Sequence, residues 1–338
     1  MLTFFKYDVY NLSMTFYEEI RNMFINSVRT AVSIVIAFLM TVGTPAGLRE
    51  YNEIKNRELY YTDSDNVPYI CFRQPDDDSV CGTWWWDFTS VEDTEKTENM
   101  LRFLEKNGVN EVYYYGMYQL FWGQDEVVHG FVRAANSHGI KVALLYDDPD
   151  LAESPNNDLE RVCSYYLAYA GKYPDDNLGG IHLDVEGKTT GQFVNNLISQ
   201  FNSVREKGIY LAVDVAPRLE TETQFEMDGV KGNIYDMYAS HVDCLAVMSY
   251  RDTSEAIWRY GKEAYQAALR QNCKIILSAE TGLYDFNDDC VSFYEEDMTV
   301  MYLKMSRIYR KLALVHPENG YGIAFHCSDT WLRMNTGV

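Results

Sequence analysis

His182, Asp184 and Glu186 occupy alternate positions in the run Gly180-Ile181-His182-Leu183-Asp184-Val185-Glu186. Alternate side chains of an extended strand share one face, so the three would stand in a column. A carboxyl set close above another feels its charge, and the repulsion raises one of the two pKa values. A glutamic acid that keeps its proton at neutral pH can serve as a general acid. Glu186 is therefore the expected proton donor and Asp184 its partner. A buried ion-pair layer that only closes a core would use the same residues. A second carboxylate, Glu280, ends the apolar run Lys-Ile-Ile-Leu-Ser-Ala-Glu at 274–280.

Positioning such groups needs a scaffold, and the chain alternates short apolar runs with amphipathic stretches. Strands are expected at 80–88, 111–116, 141–147, 180–186, 209–216, 244–250, 274–280 and 321–327. Helices are expected at 94–106, 126–137, 159–171, 191–206, 254–271 and 298–314. Strand–helix alternation argues for parallel βαβ units, and eight of them in about 250 residues argue for a (β/α)8 TIM barrel. An open doubly wound sheet would want a glycine-rich loop after the first strand, where Phe88-Thr89-Ser90-Val91 stands instead.

A barrel of this kind carries its site at the C-terminal ends of its strands. Those ends read Trp86-Asp87, Tyr115, Asp147-Asp148, Asp184-Val185-Glu186, Asp214, Tyr250-Arg251-Asp252, Glu280 and His326. Carboxylates that end apolar runs are costly unless they have work or a partner. Catalytic roles are expected for Glu186, Asp184 and Glu280. Ligand contacts are expected from Trp86, Asp87, Tyr115, Asp147, Asp214, Tyr250, Arg251 and His326. Aromatic residues gather near the same rim: Trp84, Trp85, Trp86, Tyr113, Tyr114, Tyr115, Phe121, Trp122 and Trp331. Strand alternation sends Trp84 and Trp86 to one face and Trp85 to the other, so part of this set is core.

The run 180–186 resembles the fourth-strand DGxDxDxE motif of the chitinase-like, family-eighteen glycoside hydrolases. Val247-Met248-Ser249-Tyr250 resembles that family's sixth-strand element, and Gly322-Ile323-Ala324-Phe325-His326 its last strand. His182 stands where the family carries an aspartate, and His326 where its last strand ends in Trp. The resemblance implies a (β/α)8 barrel that cleaves glycans, with Glu186 as general acid and Asp184 beside it. It also implies that Tyr250 binds the substrate's acetamido group, which serves as nucleophile in that family. Glu280 opens a second resemblance, to the retaining clan A barrels. There the acid/base follows strand four and the nucleophile strand seven, the places of Glu186 and Glu280. Two carboxyls about 5–5.5 Å apart would then form and hydrolyse a covalent glycosyl-enzyme. For Glu280 the bland alternative is a hydrogen bond to Arg251 or Tyr250. A carbohydrate-binding barrel without catalysis is the non-enzyme alternative.

Other chemistries fit less well. His182, Asp184, Glu186, Asp214 and His326 could ligate a metal, but there is no HxH on the first strand and no HExxH. Neither metal nor cofactor is expected. Serine chemistry lacks a GxSxG. A net charge of -21 repels phosphate backbones, so no nucleic acid is expected as a partner. A neutral carbohydrate meets no such penalty.

Three segments are expected: a leader at 1–46, a polar lead-in at 47–78, and the barrel at 79–338. Residues 31–42 (AVSIVIAFLMTV) form an uncharged, mostly apolar run, with small residues at Thr44-Pro45-Ala46. At that length it suits a signal-peptide core better than a membrane span of about 20 residues, and export is expected. Membrane anchoring through 31–42 is the alternative. The seven cysteines cannot all pair internally. Cys244 and Cys273 read as buried small hydrophobes, and a Cys71–Cys81 bridge is possible.

Overall fold

The computed structural model describes residues 60–62, 68–70, 79–148, 150–153, 158–185, 191–217, 221–283, 291–296, 298–315 and 320–336. Glu186, the expected leader, Cys71 and most of the lead-in lie outside the described residues. The chain divides into two compact units, Met1–Tyr61 and Thr62–Val338, and the barrel belongs to the second.

Eight parallel strands close on themselves in chain order: β1 Val80–Trp85, β2 Glu111–Tyr114, β3 Lys141–Asp147, β4 Leu178–Asp184, β5 Leu211–Val215, β6 Cys244–Val247, β7 Lys274–Glu280 and β8 Tyr321–His326. Each strand pairs with the next, and β8 returns to β1 through Gly322↔Val80 to Phe325↔Thr83. Closure leaves no free sheet edge. The helices that cover the barrel are α1 Thr94–Lys106, α2 Asp125–Ser137, α3 Asp158–Lys172, α4 Gly191–Glu206, α5 Ile234–His241, α6 Ser254–Gln271, α7 Met298–Val315 and α8 Ser328–Thr336. No helix among the described residues is long and apolar enough to cross a membrane.

Sequence chemistry sets these boundaries. Asp93 caps α1 by accepting from the backbone N–H groups of Glu95 and Lys96. Asn233 and Asp236 form a reciprocal capping box at α5. Asn272 ends α6 in the left-handed region, at φ 56. β3 is apolar on both faces because the barrel interior covers one and helices the other.

The interior is packed by pairing large residues with small ones. Trp84 and Tyr113 fill it from β1 and β2, while Ala143, Ala212, Ala246 and Ala324 leave them room. Gly82 lies under the Tyr113 hydroxyl, where a Cβ would collide with it. Outside, Trp85 and Tyr114 pack on Phe131 of α2, with ring centroids 4.8 and 4.2 Å away. Trp331 of α8 stacks on Phe325 at 4.1 Å. Trp85 and Trp331 are thus shell core, not rim. Cys244 and Cys273 are buried, as their apolar neighbours suggested.

Candidate active site

Two layers of polar side chains lie at the C-terminal half of the barrel. The lower one is a floor. Asp214 of β5 is 1% exposed. Its Oδ2 accepts from Trp84 Nε1 at 2.9 Å, and its Oδ1 lies 2.8 Å from His182 Nε2. A buried carboxylate needs donors on both oxygens, and here β1 and β4 supply them. His182 therefore carries a proton on Nε2. Tyr113 stacks on the His182 ring at 3.9 Å. The His182 Nδ1 and Tyr113 hydroxyl atoms are buried without a hydrogen-bond partner among the described residues. Burial pushes the Tyr113 phenol well above its usual pKa, with the Glu111 charge adding to the shift. Asp214, an expected substrate contact, sits beneath the mouth with both oxygens bonded to these donors.

The upper layer forms the mouth. Glu280, also 1% exposed, ends β7. Its Oε1 accepts from the backbone N–H of Thr281 at 2.9 Å and of Gly282 at 2.6 Å. Its Oε2 lies 2.7 Å from Nδ1 of His326, its register neighbour on β8. His326 Nε2 in turn faces Trp86 Nε1 at 2.9 Å. An indole N–H only donates, so Nε2 must hold a lone pair and Nδ1 the proton given to Glu280. Burial disfavours the charged imidazole. The Glu280 hydrogen bond, with the charges of Glu280, Asp214 and Asp184, outweighs it and lifts the His326 pKa above its usual value. The Trp86 bond is thus in competition with protonation.

Around this relay stand aromatic faces. Trp86 lies 5.1 Å from Tyr115, and Tyr250 lies 5.5 Å from His326, centroid to centroid. Tyr115 donates its hydroxyl to Asp147 Oδ1 at 2.8 Å, and Tyr118 donates to the Asp147 carbonyl at 2.7 Å. Burial, then the bond to Asp147, raises the Tyr115 pKa, so it stays a donor at every relevant pH. Register places Asp147 beside Asp184, and Asp184 beside Asp214, across β3, β4 and β5. Asp184 is half-buried at the end of β4. Glu186, two residues on, lies outside the described residues.

The structure thus brings Trp86, Tyr115, Asp147, Asp184, Tyr250, Glu280 and His326 to one mouth. Besides Asp214, two expected contacts are placed elsewhere. Asp87 gives its oxygens to Thr89, Ser90 and Lys96 and so shapes the turn after β1. These bonds, Thr89's first, hold its pKa below the usual carboxylate value. Arg251 donates to the Tyr250 carbonyl and lies 4.0 Å over the Tyr260 ring, so it is not the partner of Glu280. Sequence reasoning missed Tyr118 and Phe88. Tyr118 sits in a connection, where strand alternation gives no signal; Phe88 ends the run expected as strand 80–88 and shares the parity of Trp84 and Trp86, a signal that was there to use. Among the described residues no three His, Cys, Asp or Glu converge to hold a metal ion.

No family model matches the chain, and no curated protein gives a significant sequence match. Solved structures are similar to it at low identity. A GH18 chitinase from Cycas revoluta in complex with (GlcNAc)3 shares 12% identity over 77% of this chain and 98% of its own, with a TM-score of 0.46. A putative alpha-L-fucosidase from Bacteroides thetaiotaomicron shares 11% over 76% and 92%, with a TM-score of 0.48. The Bacillus cereus spore cortex-lytic enzyme shares 13% over 76% and 74%, with a TM-score of 0.43. The barrel described above rests on this chain's own strand pairing.

Proposed function

We propose that this chain is an exported glycoside hydrolase that cleaves a glycan at the C-terminal mouth of its barrel, with Glu186 as general acid. The observation that carries this reading is the convergence at one mouth of aromatic faces and carboxylates. Trp86, Tyr115 and Tyr250 offer flat faces for the C–H side of a sugar ring. Asp147 and Asp184 end the neighbouring strands β3 and β4 and bring two carboxylates to the same rim. Glu186 follows Asp184 by two residues in sequence.

In this mechanism Glu186 gives its proton to the glycosidic oxygen, and the charge of Asp184 holds that proton ready. The attacking group is water or the substrate's own acetamido oxygen. Glu280 is not given that step. A covalent nucleophile needs an open oxygen, and those of Glu280 are engaged by Thr281, Gly282 and His326. Glu280 instead holds His326, and through it Trp86. Export is proposed from the apolar run at 31–42.

The test is Glu186→Gln, which keeps shape but cannot donate a carboxylic proton. Hydrolysis of neutral polysaccharides, followed by reducing ends, should fall by about 10²–10⁴ with the melting temperature held. Retained activity per folded molecule would remove Glu186 from the chemistry. Wild-type protein that binds glycans and releases no reducing ends would instead be a binding barrel.

A further inference from the structure

We propose that Trp122 forms an outer sugar subsite joined to the barrel mouth, so that the substrate is a neutral glycan chain rather than a lone terminal sugar. This rests on the glycan reading above and extends it.

Trp122 is 59% exposed, whereas Trp84, Trp85 and Trp331 are buried. An exposed indole leaves apolar surface in water and forgoes the stabilisation of burying it. Scattered exposed hydrophobics need no explanation, but this ring is not isolated. Its centroid lies 5.7 Å from Phe88, Phe88 lies 6.0 Å from Tyr115, and Tyr115 lies 5.1 Å from Trp86. A second path runs through Tyr118, 6.3 Å from Trp122 and 5.3 Å from Tyr115. Phe88, Tyr115, Tyr118 and Trp86 are all half-buried. An aromatic strip therefore leads from the His326 relay outward to Trp122.

The outer end is held rigidly. Trp122 caps the short helix Met117–Phe121, its N–H bonded to the carbonyls of Tyr118 and Gln119. Gly123 follows at φ 74, a left-handed position that glycine takes without strain, and its N–H bonds to Leu120. Gln119 is buried and bonded to the Tyr114 hydroxyl, which ties this turn to β2. The backbone that carries the ring is thus ordered before binding, so less freedom has to be lost when a ligand docks.

The occupant follows from the chemistry. Aromatic faces carry partial negative charge and attract the polarised C–H face of a pyranose ring. Asp147 and Asp148 border the strip and accept hydrogen bonds, so hydroxyl groups suit it and anions do not. The net charge of -21 adds to that exclusion. A chain bound across the strip would reach the mouth and Trp122 together.

The experiment compares wild type, Trp122→Ala and Trp122→Phe by calorimetry and initial rates. The probes are glycol chitin, xylan, mixed-linkage β-glucan and galactomannan, each as polymer and as disaccharide. Trp122→Ala should weaken polymer affinity and raise polymer KM by roughly three- to tenfold. The disaccharide should lose less, and Trp122→Phe should recover part of the loss. Melting should not change, because an exposed side chain is removed. Equal losses on polymer and disaccharide, or none on either, would overturn the outer subsite and leave the hydrolase reading intact. So would a wild-type dimer in sedimentation that Trp122→Ala splits, because the ring would then be a subunit contact. Wild-type protein that neither binds nor cleaves any of the glycans would overturn both.

Discussion

Replacing Asp214 tests whether the floor of the site is structural. Trp84 Nε1 and His182 Nε2 both point at its carboxylate, at 2.9 and 2.8 Å. In Asp214→Asn one acceptor oxygen remains, and the amide N–H2 faces one of the two donors. His182 could shift its proton to Nδ1, but that atom is buried with no partner among the described residues. One charge-assisted bond is lost either way, at about 1.5–3 kcal/mol. Asp214→Ala strands both donors and opens a hole, at about 3–5 kcal/mol. A barrel of this size loses about 2–4 °C per kcal/mol. Asp214→Asn should therefore melt roughly 3–12 °C lower and Asp214→Ala roughly 6–20 °C lower. The assay pairs circular-dichroism melts with kinetics per folded molecule, and KM should move less than about twofold, because no substrate reaches a residue 1% exposed. An unchanged melt with a much higher KM would refute this and return Asp214 to the substrate.

Three further outcomes follow from the same geometry. Protonated His326 carries a hydrogen on Nε2 and cannot accept from Trp86, so acidification should change indole fluorescence with a midpoint above about 6.5; no transition in wild type, or the same one in Trp86→Phe, would break the relay. Because the folded pKa of His326 is raised, the charge on its ring adds stability that is fully present below about pH 6.5 and lost as pH rises through the folded value, the neutral ring keeping its Nδ1–H bond to Glu280; the melting gap between wild type and His326→Gln should be wider at pH 6 than at pH 9, and the reverse order would refute the charged pairing. Gly180→Ala should melt lower, because φ is +93 and the new Cβ would meet the Tyr210 carbonyl; the strain is about 1–3 kcal/mol, and an unchanged melt would contradict the backbone described.

Much of the barrel was legible because period and chemistry agreed. The strands at 141–147 and 274–280 and the helices at 94–106, 191–206 and 254–271 match the structure to the residue. The run 244–250 was read too long. β6 stops at Val247, and Ser249 turns its hydroxyl to the N–H and carbonyl of Ser278 on β7. Side-chain bonding of this kind replaces the ladder and leaves no trace in hydropathy. The stretch between β5 and β6 hid α5 and the hairpin of Phe225–Met227 with Val230–Gly232. Its start was marked all the same, since Asn233 and Asp236 have capping-box spacing, and Asp236 also pairs with Arg270 at 2.8 Å.

The site was legible in face but not in depth. Alternation correctly turns Trp84, Trp86, His182, Asp184 and Asp214 inward, yet it cannot say how far each lies from the mouth. That is decided by what the neighbouring strands present at the same level. Asp147 meets a tyrosine hydroxyl from β2 and remains at the mouth, while Asp214 meets an indole and an imidazole and is sealed. Glu280 meets its own following N–H groups, which draw its carboxylate back under the rim. Three carboxylates that look alike as strand endings thus acquire three surroundings: a hydroxyl-bonded acceptor, a buried brace and a clamp on His326. The difference has a functional consequence. The floor keeps the Asp214 carboxyl, register neighbour of Asp184, away from solvent, and the clamp holds Trp86 by its N–H rather than its face. What lines the mouth is therefore aromatic surface and the Asp147–Asp184 edge, the combination on which the proposed glycan reading rests.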